Sequence, residues 1–137
     1  MYQTIIIVGR LGGDPEMRYT PAGKAVTNFS VATDRKYSTS DGQLVEETTW
    51  FRVSTWGKSA ENCSQYLHKG NKVLVEGRLV PDKETGGPRV WTRQDGTPAA
   101  SFEVSADNVR FLSSKGEGNG QAEEAPEAVP AGDDIPF

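Results

Sequence analysis

Apolar and polar positions along this chain fall into short, partly alternating runs. Thr4–Arg10 is a β-branched run that stops at Gly12-Gly13-Asp14-Pro15, which predicts a strand closed by a turn. Ala25–Asp34 predicts a second strand. Its apolar positions Val26, Phe29 and Val31 break strict alternation once, which predicts a bulge near Thr27-Asn28. Thr48–Trp56 predicts a third strand, preceded by a long connection that turns at Asp41-Gly42. The period then changes. Over Ser59 to His68, Ala60, Cys63, Tyr66 and Leu67 fall on one helical face, with Ser59 as N-cap and Gly70 as a left-handed C-terminal cap. Lys72–Val80 and Ser101–Leu112 predict two more strands. Between them Pro81–Ala100 forms an excursion with its own small hairpin, turning at Asp95-Gly96.

Three strands, a helix and two strands make a mainly β chain. That order predicts a five-stranded OB-fold barrel with one helix between strands 3 and 4 plugging an end. Closing the sheet is the alternative to leaving its edges exposed.

Side chains on a strand alternate between faces, so the third strand sorts its residues in two. Phe51, Val53 and Thr55 share one face and suit a core. Trp50, Arg52, Ser54 and Trp56 share the other, where two indoles flank a guanidinium. Such a face has two explanations. The tryptophans pack beneath a loop or a subunit interface, or they are a stacking platform whose flat π faces accept any base while the cation meets phosphate. Other aromatics are interleaved with cations in the same way: Tyr37 follows Arg35-Lys36, Trp91 lies between Arg89 and Arg93, and Lys58 follows Trp56. Aromatics alternating with cations suit a single strand better than a duplex, whose affinity leans on phosphate contacts.

The net charge of −4 argues against a nucleic-acid partner only until its distribution is examined. Residues 1–112 carry 14 Lys and Arg against 13 Asp and Glu, whereas residues 113–137 carry Lys115 against six acids. The body is near neutral and the tail is at −5. From Ser113 to Asp134 the tail holds one valine and no aromatic residue, so it cannot bury enough apolar surface to order itself and is expected to be disordered. A purely solubilising tail does not account for the ending Ile135-Pro136-Phe137.

The remaining chemistry is sparse. Cys63 is the chain's one cysteine and lies on the helix's apolar face, which fits a core thiol in a reducing, cytoplasmic setting. His68 has no second histidine to share a metal, and Asp14-Pro15-Glu16 reads as a turn and not as a catalytic pair. Gly9, Gly12 and Gly13 match neither phosphate-loop pattern. No apolar run approaches the length of a membrane span, and Met1 to Arg10 lacks the pattern of a signal peptide. The expectation is a protein that is not an enzyme, with no catalytic residue, no metal and no cofactor. The competing expectation is an OB-fold interaction module, without a DNA role, whose tryptophans face a protein.

Trp50-Phe-Arg-Val and Trp56-Gly-Lys58 closely resemble the bacterial single-stranded-DNA-binding protein family. So do Val8-Gly-Arg-Leu-Gly-Gly-Asp-Pro-Glu-Met-Arg-Tyr19, Tyr66-Leu-His-Lys-Gly70, Glu76-Gly-Arg-Leu79 and the terminal Asp133-Asp-Ile-Pro-Phe137. The resemblance implies an OB-fold DNA-binding domain at 1–112, a disordered linker at 113–132 and a docking tip at 133–137. It implies a homotetramer that wraps single-stranded DNA, in a bacterial cytoplasm and associated with the nucleoid. The family's stacking aromatics match Tyr37, Trp50, Trp56 and Trp91, and its phosphate contacts match Arg52, Lys58, Lys69 and Arg78. Asp133, Asp134, Ile135, Pro136 and Phe137 match its docking site for replication, recombination and repair proteins. Two departures are visible: Val80-Pro81-Asp82 and Glu84-Thr-Gly-Gly-Pro88 stand where many members are basic, and the linker is short.

Overall fold

The computed structural model describes residues 1–113, so the proposed linker beyond Ser113 and the tip at 133–137 lie outside the described residues. The elements in chain order are β1 (Ile5–Leu11), β2 (Glu16–Tyr19), β3 (Ala25–Ser38), β4 (Leu44–Trp56), α1 (Gly57–Tyr66), β5 (Lys72–Leu79), β6 (Arg89–Thr92) and β7 (Pro98–Phe111). Five of them close a barrel in the order β1-β5-β7-β4-β3, with β3 returning to β1 at Arg10↔Ala32 and Leu11↔Val31. All neighbours are antiparallel except β4 and β7, which run parallel over Phe51–Ser54. The expected barrel is present, and α1 follows its third strand. β2 pairs with β3 and β6 with β7 as appendages.

The core is what the inward face of each barrel strand delivers: Ile7, Phe29, Val31, Val53, Val73, Val75 and Val104, each at most 4% exposed. Cys63 and Leu67 cap that cluster from the helix side. Each such side chain contributes roughly 1.5–3 kcal/mol by leaving water, so the β-branched runs are the main source of stability.

Four sequence expectations change. The bulge expected near Thr27-Asn28 does not occur, because β3 pairs with β4 without a break from Val26↔Trp56 to Ser38↔Leu44. Ala25, Thr27, Phe29 and Val31 alternate inward, and the polar member of that set hid the regularity. Thr27 is fully buried and its hydroxyl donates to the Ala60 carbonyl at 2.7 Å, which ties the helix to the barrel.

The long connection before the third strand is instead a hairpin arm. Polar residues extend both strands through the ion pairs Arg35–Glu47 (3.4 Å) and Lys36–Glu46 (3.8 Å), and the turn shrinks to residues 39–43.

Ser59 is not the N-cap. β4 runs straight into α1 at Gly57, whose φ of 64° makes the corner, and Ser59 inside the first turn accepts a hydrogen bond from Thr55 at 2.8 Å. Gly70 has φ of 89° but lies beyond the helix, in the turn where the Asn71 amide donates to the His68 carbonyl. No helix among the described residues is long and apolar enough to cross a membrane.

Candidate nucleic-acid interface

Because β4 keeps its register with β3 throughout, its period-two sorting survives folding. Val53 and Thr55 are buried, Phe51 packs partly on the core, and Trp50 and Trp56 stand 53% and 42% exposed on the outer face with Arg52 between them. Opposite them β3 presents Ala32, Ser30, Asn28 and Val26. These are small or short side chains, so β3 itself does not overhang the indoles. Ser54 donates to Asn28 at 2.6 Å and pairs on its other side with Ser105, which in turn pairs with Arg78. A short polar row thus connects the tryptophan face to Arg78 on β5.

Each indole borders an open groove. Trp50 lies against Gly12 so closely that a Cβ added there would be 2.5 Å from the Trp50 Cζ3 atom. The adjoining groove, about 330 Å³, is lined by Gly12, Gly13, Asp14, Ser30, Trp50 and Arg52 among others. Lys69 reaches this region through its backbone, since its amide donates to the Asp14 carboxylate at 2.8 Å. Trp56 borders a second groove of about 490 Å³ with Lys24, Arg78 and Asp107. Lys58 lies two residues beyond Trp56, with 83% of its side chain exposed and its Nζ 4.0 Å from Glu61.

Trp91 and Tyr37 fall on different sides of this surface. Trp91 on β6 pairs with Ala99, and residues 99, 101, 103 and 105 of β7 alternate onto the face that Arg52 and Ser54 occupy. The Arg89–Glu103 ion pair at 3.5 Å confirms that β6 shares that face. Tyr37 pairs with Val45, and counting along β3 from Ala32 sets it on the opposite face of the hairpin arm. There its ring lies 4.6 Å from the Arg35 guanidinium and its hydroxyl meets Glu47 at 3.5 Å. The structure therefore gathers Trp50, Arg52, Trp56, Arg78 and Trp91 on one side, sets Lys58 in the first turn of α1 just beyond Trp56, and leaves Tyr37 around the edge of the arm.

Lys24 belongs to the Trp56 groove and sequence reasoning missed it. Its Nζ lies 5.8 Å from the Trp56 ring centroid. The available signal was its position just before the second strand, antiparallel to a strand ending in tryptophan.

Cys63 is 1% exposed, and burial pushes its thiol up to about 11. No group of three or more His, Cys, Asp and Glu is placed to hold a metal ion among the described residues.

Residues 2–112 match the Single-strand binding protein family. The single-stranded DNA-binding protein of Wolinella succinogenes is 38% identical over 120 residues, covering 88% of this chain and 70% of that one. Its counterpart in Neisseria meningitidis serogroup A is 40% identical over 118 residues, covering 86% and 64%. Among solved structures, a deletion mutant of the single-stranded DNA binding protein from Thermus aquaticus superposes with a TM-score of 0.63 at 31% identity, over 82% of this chain and 51% of that one. A Plasmodium falciparum SSB complex with ssDNA shares the fold, with a TM-score of 0.65 at 24% identity over 82% and 96%. With its matched residues spanning the barrel and both grooves, the chain belongs to the single-strand binding protein family.

Proposed function

We propose that this protein binds single-stranded DNA without regard to base sequence and performs no chemistry on it. The observation that carries this is the outer face of β4: two half-exposed indoles, 50 and 56, flank Arg52 above open grooves. Bases stack on Trp50 and Trp56, while Arg52, Lys58, Lys69 and Arg78 take phosphates, which are common to every sequence. Trp91 extends the platform along β6. Tyr37 is reached by a strand that passes around the hairpin arm. The names of the relatives support the same ligand.

Self-association into a homotetramer is supported by the outer face of β1, where Ile6 and Val8 are 60% and 46% exposed, Val8 opposite Leu74. Apolar side chains side by side on an outer sheet face favour a second copy. Recruitment of replication, recombination and repair proteins is assigned to Asp133, Asp134, Ile135, Pro136 and Phe137. These lie outside the described residues. Cytoplasmic, nucleoid-associated action in a bacterium follows from that role.

The test is titration with oligo-dT at low salt, read by tryptophan fluorescence and accompanied by light scattering for the subunit number. Wild-type emission is expected to be quenched. Trp50→Ala and Trp56→Ala should each lose about five- to 100-fold in affinity, since a stacked base contributes roughly 1–3 kcal/mol. Normal binding by both variants would place the platform elsewhere. Quenching by protein partners but not by DNA would favour an interaction module.

A further inference from the structure

The groove beside Trp56 is bordered by a bulge in β7. β7 pairs with β5 as Gly77↔Ala106 and then Glu76↔Asn108, so the register steps over Asp107. Such a bulge breaks the alternation of faces and re-aims a side chain. Ala106 is buried, while Asp107 and Asn108 both point outward. The close approach depends on Gly77, where an added Cβ would lie 2.1 Å from the Ser105 carbonyl oxygen. The outcome is a carboxylate delivered 3.6 Å from the Arg78 guanidinium, with both side chains about 60% exposed. An ion pair that exposed adds little to stability, so holding the fold together does not account for the pairing of Asp107 with Arg78.

From the other wall comes Lys24. The turn before β3 fixes its backbone: the Thr20 amide donates to the Lys24 carbonyl at 2.9 Å, and the Lys24 amide donates to the Thr20 hydroxyl at 3.1 Å. Its ammonium lies over the Trp56 ring, on the π surface that a base would cover. Each part of the groove suited to a nucleotide thus has a partner from the protein itself. A cation covers the indole, and a carboxylate holds the guanidinium.

We propose that the Trp56 groove is a self-occupied nucleotide subsite, in which Asp107 is a phosphate surrogate on Arg78 and Lys24 is a further DNA-contacting residue. It rests on the single-strand reading of Trp56 above. When a base stacks on Trp56, Lys24 moves from the ring to a phosphate and the backbone displaces Asp107 from Arg78. Arg78 exchanges one anion for another, so it contributes less to affinity and to salt dependence than an uncommitted cation does. The re-forming Arg78–Asp107 pair also helps expel the strand, which favours rapid turnover of bound DNA.

The experiment is oligo-dT titration over a salt series with Asp107→Asn, Lys24→Met and Asp107→Asn in an Arg78→Gln background, each checked by thermal melting. Asp107→Asn should bind about two- to fivefold tighter, with a log K against log salt slope steeper by up to about 0.7, the share of one single-strand phosphate contact. Lys24→Met should bind about two- to fivefold weaker, with a slope flatter by about 0.7. The gain from Asp107→Asn should vanish when Arg78 is glutamine. A gain that persists there would reflect only the loss of one negative charge and would overturn the surrogate. Unchanged or weaker binding by Asp107→Asn, or an unchanged slope in Lys24→Met, would overturn it equally. Failure of the wild-type protein to bind oligo-dT would instead remove the single-strand reading itself, and the subsite with it.

Discussion

Replacing Gly12 with alanine should weaken DNA binding while leaving the barrel intact. The new Cβ would lie 2.5 Å from Cζ3 and 2.8 Å from Cη2 of Trp50. Carbon atoms rest at about 3.5–4.0 Å, so the indole edge must retreat by roughly 1 Å. Trp50 is 53% exposed and can swing outward. A side chain pushed about 30° from its rotamer costs about 0.5–1.5 kcal/mol, which is small for the fold. The same displacement is large for a stacking surface. Losing about 1 kcal/mol of the roughly 1–3 kcal/mol per stacked base corresponds to about a fivefold rise in Kd. Gly9→Ala is the matched control. Its Cβ would lie 2.2 Å from the Ala32 carbonyl oxygen, in the strand pairing that closes β1 on β3. Backbone there cannot retreat without opening the barrel, so overpacking should cost about 1–3 kcal/mol, occasionally more, and lower Tm. Fluorescence titration with oligo-dT and thermal melting by circular dichroism, run on both variants, separate the two effects. Wild-type affinity in Gly12→Ala would refute the stacking role of Trp50, and a Tm as low as that of Gly9→Ala would show the indole to be structural.

Arg52→Ala and Lys58→Ala should weaken binding to oligo-dT and oligo-dC alike and flatten the salt slope by about 0.7 each; a sequence-selective loss in either titration would contradict a phosphate role. Deleting Phe137 should abolish capture of a helicase or nuclease partner in calorimetry while leaving oligo-dT affinity unchanged, and deleting 133–137 should leave that affinity equal or slightly higher, because the two acids expected to compete with phosphates are then gone; equal partner affinity with and without Phe137 would refute docking there. Burial raises the Cys63 thiol from 9.0 to about 11, so the unfolded chain gives up this proton first as pH rises. The stability it confers is whole below pH 9.0 and is lost on approaching about 11; the Tm of wild type should fall more steeply across that window than that of Cys63→Ala, and parallel curves would remove the claim.

What the sequence made visible follows from what each element buries. β1, β3, β4, β5 and β7 each send one face into the core, so their apolar contrast marked them. β2 was missed because all four of its residues are exposed and carry no contrast. The hairpin arm was read as a connection for the same reason, its pairing being made by Arg35, Lys36, Glu46 and Glu47. Trp50, Arg52 and Trp56 could be grouped in advance because period-two sorting is local and β4 preserves it. The side of Tyr37 could not, since it depends on a register that runs beyond the barrel. Lys24 and Asp107 were beyond local rules altogether. One meets Trp56 across 32 positions of sequence, and the other owes its direction to a bulge visible only once β5 and β7 are paired.

The unbroken pairing of β4 with β3, reinforced by β7, has a thermodynamic consequence. The backbone that carries the two indoles is set before any ligand arrives, so the entropy lost on ordering falls chiefly on the DNA. Discrimination among strands is then a property of the nucleic acid and not of the groove. A thymine tract, with little self-stacking to give up, is captured at small cost, whereas an adenine tract must first be unstacked. A surface that reads no sequence will still rank homopolymers by their stiffness, and warming, which loosens adenine stacks in solution, should narrow that ranking.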